Sequence, residues 1–364
     1  LVVLADVGRV LQYNSIQYHN IKTSFRQLVE VFFCMENSFS FVYMWKVLVI
    51  QTSFIGDVIL STALLESIQE VFPAAQLDIL VRKGNESLFD NHPFLNRVYV
   101  WDKKVAKYKG LFNILRQVRS VQYDVVINLQ RFGTTGLFTV LSKAHKTIGF
   151  RKNPFSFLFD KAYPHELKAG IHEVDRNQTL IQEWTNKPAS KPKLYPKVLD
   201  LNTFGIEPPF VCFAPHSVWK TKQLPSEKWI NLAEHIDNEV SIVFLGAPSE
   251  LEACEHLMSQ INRAGAMLNM CGQLSLLESA ALMQQSQMNY VNDSAPLHLC
   301  SAVDAPQTAF FCSTSPTFGF TPLSTVSIIA EASPQPPCKP CGLHGKSACP
   351  KGHFDCGNID VLSL

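Results

Sequence analysis

Apolar residues between positions 45 and 311 fall into short continuous runs, and segments with helical spacing separate these runs. Trp45–Ile50 is apolar at five of its six positions, as in a parallel strand that is covered on both faces. Residues 59–71 carry apolar side chains three and four positions apart, which is the period of a helix, and Pro73 ends that pattern. The pattern therefore predicts a strand followed by a helix.

The same alternation continues along the chain. We predict further strands at 77–81, 98–101, 124–129, 147–150, 210–214, 240–245, 288–291 and 308–311, and further helices at 111–121, 226–236, 250–261, 276–285 and 296–302. Five prolines between residues 187 and 209 indicate a linker. Strand–helix repeats on both sides of a linker predict an α/β fold of two Rossmann-like domains that face each other across a cleft.

The predicted domains follow from this pattern. Residues 1–43 show no steady period, and Met44 directly precedes the first strand. We therefore expect a non-native or disordered extension at 1–43, with Met44 as the biological start. The N-terminal domain is predicted at 44–200, the C-terminal domain at 201–335, and a cysteine-rich tail at 336–364.

The composition of the chain excludes several classes of protein. Of the 364 residues, 46% are hydrophobic and 17% are charged, which provides for large cores and excludes a disordered chain. Lys46 and Gln51 interrupt the best candidate for a membrane span, at 41–55. The net charge is +1, whereas a general nucleic-acid binder would carry a larger basic excess.

The charge is unevenly divided. Residues 44–200 contain 22 Lys and Arg against 14 Asp and Glu, and residues 201–364 contain 7 against 14. Opposite signs indicate two domains with different ligands, although charges of either sign also serve solubility alone.

One candidate site lies between the first strand and the first helix, at Gln51–Val58. Its sequence is neither a dinucleotide fingerprint nor a P-loop. Asp57 would stand at the mouth of the cleft, where a carboxylate can accept a proton. The alternative is that Asp57 only stabilises the first turn of the helix through the helix dipole.

Three further loops follow predicted strands. In the loop at 214–225, Ser217 can donate a hydrogen bond to a diphosphate, and Lys222 or Lys220 can supply charge. The loop at 245–250 ends in Glu250. The loop at 292–298 opens a helix whose N–H groups can hold phosphate. It contains His298, although a lone histidine on a helix is more often packed in the core than a ligand.

These motifs together resemble the ADP-heptose–lipopolysaccharide heptosyltransferase family, whose members have two facing Rossmann-like domains of the GT-B type. The resemblance covers residues 44–357. It rests on QTSFIGDVILSTALLESI, PHSVWKTKQLPSEKW, FLGAP, CGQLSLLESAALM and NDSAPLHL in this order, with STSP at 313–316 and CPKGHFDC at 349–356.

The resemblance implies roles for particular residues. Asp57 is similar to the general base of the family, and Ser217 and Lys222 match positions that hold the donor diphosphate. Glu250 falls near a position used for the nucleoside, a part that Glu252 can also take. The remaining implied donor contacts are Asp293, Ser294 and His298. One departure is Ala295, where many members have glycine, so the backbone approaches a phosphate less closely.

The resemblance also implies the reaction. An inverting transfer would carry a heptose from an ADP-sugar to the lipopolysaccharide inner core, and no cofactor is expected. The sequence holds no DxD motif, which favours a metal-independent enzyme. The acceptor would be a lipid A–core oligosaccharide, so the expected location is cytoplasmic, peripheral to the cytoplasmic face of the inner membrane, with no nucleic-acid partner.

Basic residues of the first domain fit such an acceptor. Lys103, Lys104 and Lys107 lie near Tyr99, Trp101 and Tyr108, and a patch of this kind can rest on an anionic membrane. An ordinary solvated helix face explains any single lysine equally well.

Four cysteines near the end form a separate candidate site. Cys338, Cys341, Cys349 and Cys356 would suit a structural zinc ion, with His344 and His353 as further ligands. Free thiols are an equal alternative, and disulfides are less favoured in a cytoplasmic enzyme.

Other functions are compatible with the same fold. A non-catalytic nucleotide-sugar-binding protein is one alternative, and a glycosyltransferase with another donor sugar is a second. A Rossmann oxidoreductase is disfavoured, because the glycine fingerprint is absent.

Overall fold

Two six-stranded parallel sheets form the framework of the computed structural model, which describes residues 44–105, 107–167 and 170–364. The strands of the first sheet are β1 (Lys46–Ile50), β2 (Gln76–Arg82), β3 (Leu95–Trp101), β4 (Val125–Asn128), β5 (Lys146–Phe150) and β6 (Lys161–Tyr163). The strands of the second sheet are β7 (Phe210–Ala214), β8 (Ser241–Phe244), β9 (Met267–Asn269), β10 (Asn289–Asn292), β11 (Gln307–Phe310) and β12 (Ser327–Ala330).

Helices connect the strands in both sheets. The α-helices are α1 (Ile55–Val71), α2 (Lys107–Val121), α3 (Gly133–Leu141), α4 (Glu173–Gln178), α5 (Ser226–His235), α6 (Leu251–Met258), α7 (Leu276–Gln285) and α8 (Ala295–Ala302). Short 3₁₀ helices lie at Glu86–Phe89, Ser156–Leu158, Thr179–Ile181, Leu201–Phe204, Lys220–Lys222, Pro248–Glu250, Pro316–Phe318 and Asp355–Gly357.

Both sheets have the same strand order. The first runs β3-β2-β1-β4-β5-β6, and the second runs β9-β8-β7-β10-β11-β12. This is the Rossmann order, in which the direction of winding reverses beside the first strand and opens a crevice at the carboxyl ends of the strands. The switch points therefore lie between β1 and β4 and between β7 and β10.

Strand β1 shows why the first sheet is covered on both faces. Val47 and Val49 belong to the apolar cluster that includes α1. Leu48 and Ile50 belong to a second cluster that includes α2. All four are at most 1% exposed, because successive side chains of a strand point to opposite faces.

The predicted fold class is confirmed, and most predicted elements are present. The missed strands β6, β9 and β12 are the edge strands with three or four residues each, too short to show a period. Two helices were also missed. The sequence of α3 is GTTGLFTVL, whose glycines and β-branched residues have low helix propensity, and α4 has only six residues.

The position of α1 joins the two sheets. It packs against α4 of the first domain and against α8, which follows β10 of the second.

The first sheet uses strands from residues 46–163, and the second uses strands from 210–330. The predicted domain boundaries at 200 and 335 stay predictions. The extension predicted at 1–43 lies outside the described residues. Within the described ranges, no helix is long and apolar enough to cross a membrane.

Candidate active site

The sequence-predicted residues lie at the two switch points. Asp57 follows β1, while Ser217 and Lys222 follow β7, and Asp293 and Ser294 follow β10. Because all strands of a parallel sheet end at one edge, each group of loops shares one rim. The contact of α1 with α8 brings the first rim to the second.

Asp57 lies in the first turn of α1, whose preceding residue Phe54 gives no side-chain cap. Burial, and next the negative charge of Glu173, raise the pKa of Asp57 to about 6. A backbone hydrogen bond from Phe54 and the positive charges of Arg131 and Lys222 oppose this rise. A carboxylate with a pKa near working pH is suited to accept a proton.

The loop that leads to Asp57 is fixed by side chains from three other segments. Asn85 Nδ2 donates to the carbonyl of Ser53 at 3.2 Å, and Lys103 Nζ donates to the carbonyl of Thr52 at 2.7 Å. Gln130, which follows β4, bonds to Gln51. These bonds hold the start of α1 in place without using Asp57 itself.

Lys222 and Asp293 form a largely buried ion pair. Lys222 Nζ lies 2.7 Å from Asp293 Oδ2 and donates to the Asp293 carbonyl at 2.9 Å. Thr314 Oγ1 donates to the same carboxylate oxygen at 2.6 Å. The side chains of Lys222 and Asp293 are 14% and 7% exposed, so the pair places a fixed cation at the rim of the second sheet.

The helix that follows Asp293 approaches Asp57 closely. Ser294 is the residue before α8 and bonds through Oγ to the Asn292 carbonyl at 3.4 Å. His298 is buried, and its Nδ1 has no hydrogen-bond partner among the residues that the structure describes. Burial lowers the pKa of His298 to about 3. A β-carbon on Gly56 would stand 2.8 Å from Cδ2 of His298. His298 is therefore neutral and packs against the residue next to Asp57.

Ser217 and Glu250 are engaged by their own loops. Ser217 Oγ accepts from the Trp219 N–H at 3.4 Å. Glu250 Oε2 accepts from the Ala247 N–H at 2.7 Å, which caps the turn after β8. The alternative Glu252 is exposed on α6. Glu250 thus has a capping role in addition to the predicted nucleoside contact.

The three predicted acceptor lysines differ. Lys103 Nζ bonds to both oxygens of Thr52 and lies 4.8 Å from the Trp101 ring, so it supports the loop before Asp57. Lys104 is exposed. The side chain of Lys107 lies outside the described residues.

Sequence reasoning missed Arg131 and Glu173. Arg131 follows β4, the neighbour of β1 at the switch point, and that position was the signal available in the sequence. Glu173 is the first residue of α4, beyond β6, and its carboxylate meets His165 at 3.1 Å and Arg176 at 2.7 Å. These bonds outweigh the effect of burial and lower the pKa of Glu173, so Glu173 stays charged near Asp57.

The cysteines of the tail are free thiols in the described structure. Cys356 is buried in the apolar cluster of the second domain, which raises its pKa to about 11. Cys338 Sγ lies 3.7 Å from His353 Nε2. Across the described ranges, no three His, Cys, Asp or Glu side chains are placed to hold a metal ion. The zinc site stays a prediction.

Comparison with known proteins identifies the family of this chain. The family model of glycosyltransferase family 9 (heptosyltransferase) matches residues 111–349. Lipopolysaccharide heptosyltransferase 1 of Pseudomonas aeruginosa is 26% identical over 321 residues, which cover 81% of this chain and 86% of that protein.

Two solved structures share the fold. ADP-heptose lipopolysaccharide heptosyltransferase II of E. coli superposes with a TM-score of 0.69 at 21% identity, covering 79% of this chain and 90% of that one. The E. coli heptosyltransferase WaaC with ADP-2-deoxy-2-fluoro heptose gives 0.62 at 20% identity, covering 79% and 93%.

Two Rossmann-like domains in this arrangement form a fold of the GT-B type, and the matching family model makes the protein a glycosyltransferase. The chain belongs to glycosyltransferase family 9, the heptosyltransferase family.

Proposed function

We propose that this protein transfers a heptose, or a closely related sugar, from an ADP-sugar to the inner core of lipopolysaccharide. The observation that carries the proposal is the placement of Asp57. Its carboxylate stands on the rim of the first domain, and the charge of Lys222 on the second domain acts on it. A single displacement needs a group that accepts the proton of the acceptor hydroxyl and a cation that binds the leaving diphosphate. Both lie at this cleft.

Asp57 is the general base in this mechanism. It takes the proton of the acceptor hydroxyl while that oxygen attacks the anomeric carbon of the donor sugar. The bond from the anomeric carbon to the phosphate oxygen breaks on the opposite side, and ADP leaves with the electron pair. One displacement of this kind inverts the anomeric configuration.

The second domain stabilises the leaving group. Lys222 supplies a positive charge, and Ser217 can donate a hydrogen bond to the diphosphate. The N-terminus of α8, behind Ser294, adds backbone N–H groups and the positive end of the helix dipole. These fixed groups replace a metal ion in stabilising the charge that develops on ADP.

The donor assignment is supported by the relatives named above, since one of them is the ADP-heptose lipopolysaccharide heptosyltransferase II of E. coli. The residues of this chain that would meet the nucleoside follow β8, at Gly246–Glu250. These residues would contact the nucleoside and not the sugar, so an ADP-sugar other than ADP-heptose is the second candidate donor.

The acceptor side is the strongly basic part of the first domain. Residues 103–152 contain eleven Lys and Arg and a single acid, Asp124, which is 8% exposed. Large apolar side chains are exposed along the same segment, such as Phe112 at 51% and Phe132 at 53%. Arg116 lies over the Phe112 ring and Arg131 over the Phe132 ring. This combination suits a phosphorylated acceptor embedded in an anionic membrane, and it supports a peripheral, cytoplasmic location at the inner membrane.

The test is a panel of donors and acceptors. The purified protein is incubated with ADP-, UDP- and GDP-sugars, with and without heptose-deficient lipid A–core, and nucleotide release is measured. We expect release only with ADP-heptose and acceptor together, and no change on adding EDTA. Binding of ADP-heptose with no turnover on any acceptor would favour the non-catalytic binding protein instead.

Two further measurements complete the test. The anomeric configuration of the product, read by NMR, reports inversion or retention. Co-sedimentation with phosphatidylglycerol vesicles, compared with phosphatidylcholine vesicles, reports the membrane contact. Equal binding to both vesicles, or to neither, would contradict an electrostatic membrane surface.

A further inference from the structure

The cysteine-rich tail lies directly on the loop that carries Lys222. The Thr221 N–H donates to the Lys346 carbonyl at 3.1 Å, and the Lys346 N–H donates back to Thr221 Oγ1 at 2.8 Å. Thr221 is 3% exposed. The tail thus forms a reciprocal pair of hydrogen bonds with the residue next to the proposed donor-binding lysine.

Thr221 also connects this pair to a third loop. Ser313 Oγ donates to Thr221 Oγ1 at 3.0 Å, and the Ser313 carbonyl accepts from the Cys341 N–H at 2.9 Å. The residue after Ser313 is Thr314, which bonds to Asp293 at 2.6 Å. Thr221 is therefore adjacent to Lys222 in sequence, and its hydroxyl bonds to Ser313, the neighbour of the residue that bonds to Asp293.

The tail also touches Lys222 itself. Gly345 is buried, and a β-carbon there would stand 2.8 Å from Cγ of Lys222 and would also meet Trp219. The ring of His344 lies nearly parallel to that of Trp219, with planes 20° apart and centroids 6.5 Å apart. The backbone at Gly345 therefore limits the space open to the stem of Lys222.

The tail is held firmly enough to act on this loop. Lys339 Nζ pairs with Glu331 at 2.7 Å and bonds to the Phe311 carbonyl, and its side chain is 1% exposed. Cys356 belongs to the apolar cluster of the second domain. Anchors on both sides of the 344–346 turn make it a rigid support for a flexible lysine.

We propose that the turn His344–Lys346 of the tail is a positioning element of the donor site. It holds the Lys220–Lys222 turn through Thr221 and confines the stem of Lys222, so that the ammonium group faces the diphosphate. The inference rests on the donor role proposed for Lys222. Its physical basis is that a lysine fixed beforehand loses less side-chain entropy when the nucleotide binds.

The test compares two substitutions at Thr221. Thr221→Ser keeps the hydroxyl, whereas Thr221→Val keeps the shape and leaves the Lys346 N–H without its acceptor. We expect Thr221→Val to weaken ADP binding about tenfold by calorimetry below its melting temperature, and Thr221→Ser to stay within about twofold of wild type. Lys351→Ala, an exposed position of the same tail, serves as the control and should bind ADP as wild type does.

A double substitution separates positioning from general stability. In the Lys222→Ala background, Thr221→Val should have no further effect on ADP affinity, because the residue that it positions is absent. Should Thr221→Val fail to fold, Gly345→Ala gives the same comparison. Wild-type affinity in folded Thr221→Val, or an undiminished effect in the Lys222→Ala background, would overturn the proposal. Failure of wild type to bind ADP would instead reject the donor role on which the proposal rests.

Discussion

The backbone of Gly56 lies against the imidazole of His298, so closely that a β-carbon at position 56 would stand 2.8 Å from Cδ2 of the ring. Gly56 precedes the proposed base on the first domain, and His298 lies on the helix behind Ser294 on the second. The contact sets the separation of the two rims at the point where the transfer would occur.

Gly56→Ala should therefore lower turnover. The added methyl group would overlap the buried ring of His298, so α1 or the ring must shift, and a displacement of about 1 Å at a reacting centre can cost about 10²-fold in rate. We expect kcat to fall by about that factor while ADP affinity changes little, as measured by steady-state kinetics and calorimetry.

The pair can be tested as a unit with His298→Ala. Removing the ring makes room for the methyl group, so the double variant should lose less activity than the product of the two single losses. Strict additivity would show that Gly56 and His298 act independently.

Asp57→Asn should remove the proton acceptor and keep the shape. General base catalysis contributes about 10²–10⁴-fold, so kcat should fall by that range while donor binding stays nearly unchanged. Ser53→Ala, in the loop that leads to α1, is the control for local disturbance. A variant with normal kcat would exclude Asp57 as the base.

The same carboxylate predicts how turnover depends on pH. Because burial raises the pKa of Asp57 to about 6, the base is protonated and inactive below that pH. We expect kcat/KM to rise tenfold per pH unit below about pH 6 and to level off above it. If the rise of kcat/KM with pH is unchanged in Asp57→Asn, that rise reports the titration of another residue.

Asp57→Asn should also change stability in a pH-dependent way. The folded pKa of Asp57 lies above its ordinary value of 3.8, so the folded state disfavours the charged form. The free-energy penalty for burying the charged carboxylate is absent at a pH below the pKa of Asp57 in the unfolded chain. It is complete at a pH above the pKa of Asp57 in the folded protein. Relative to wild type, the free energy of unfolding of the variant should rise by about 1–2 kcal/mol from pH 4 to pH 8. This is less than the pKa shift of Asp57 alone would give, because the side chain is only partly buried. Unfolding by urea at both pH values measures the difference.

Lys222→Ala should weaken ADP binding by about 1.5–3 kcal/mol, the contribution of a charge-assisted hydrogen bond. It also leaves Asp293 buried without its cation, which should lower the free energy of unfolding by about 3–5 kcal/mol. Lys220→Ala is the matched control, since Lys220 lies two residues away and is exposed. Calorimetry and urea unfolding of both variants check the prediction. Unchanged ADP affinity in Lys222→Ala would remove Lys222 from the site, and a loss in Lys220→Ala instead would assign the charge to Lys220.

Residues that follow strands could be placed from sequence. Asp57, Ser217 and Asp293 lie in loops or helix starts that follow apolar runs, and each parallel sheet brings such positions to one rim. Their partners could not be placed in this way. Glu173 reaches Asp57 from beyond an edge strand of three residues, and the bond between Lys346 and Thr221 spans 125 positions. Such contacts depend on packing between segments and leave no period in the sequence.

The pKa of Asp57 could not be predicted from the sequence either. Its acidity depends on burial and on a carboxylate, Glu173, that His165 and Arg176 keep charged. None of these three residues belongs to a motif that the sequence singles out. The identity of the base could be predicted from its position, but its pKa could not.

The burial of the tail has a consequence for the order in which the protein is made. The first sheet has all its strands once Tyr163 has been synthesised, whereas the core of the second domain includes Cys356, Ile359 and Val361. Domains fold as units while the chain grows from its N-terminus. On the ribosome, the half that carries Asp57 therefore completes its sheet first, and the half that carries Lys222 completes its core only after Val361 has been added.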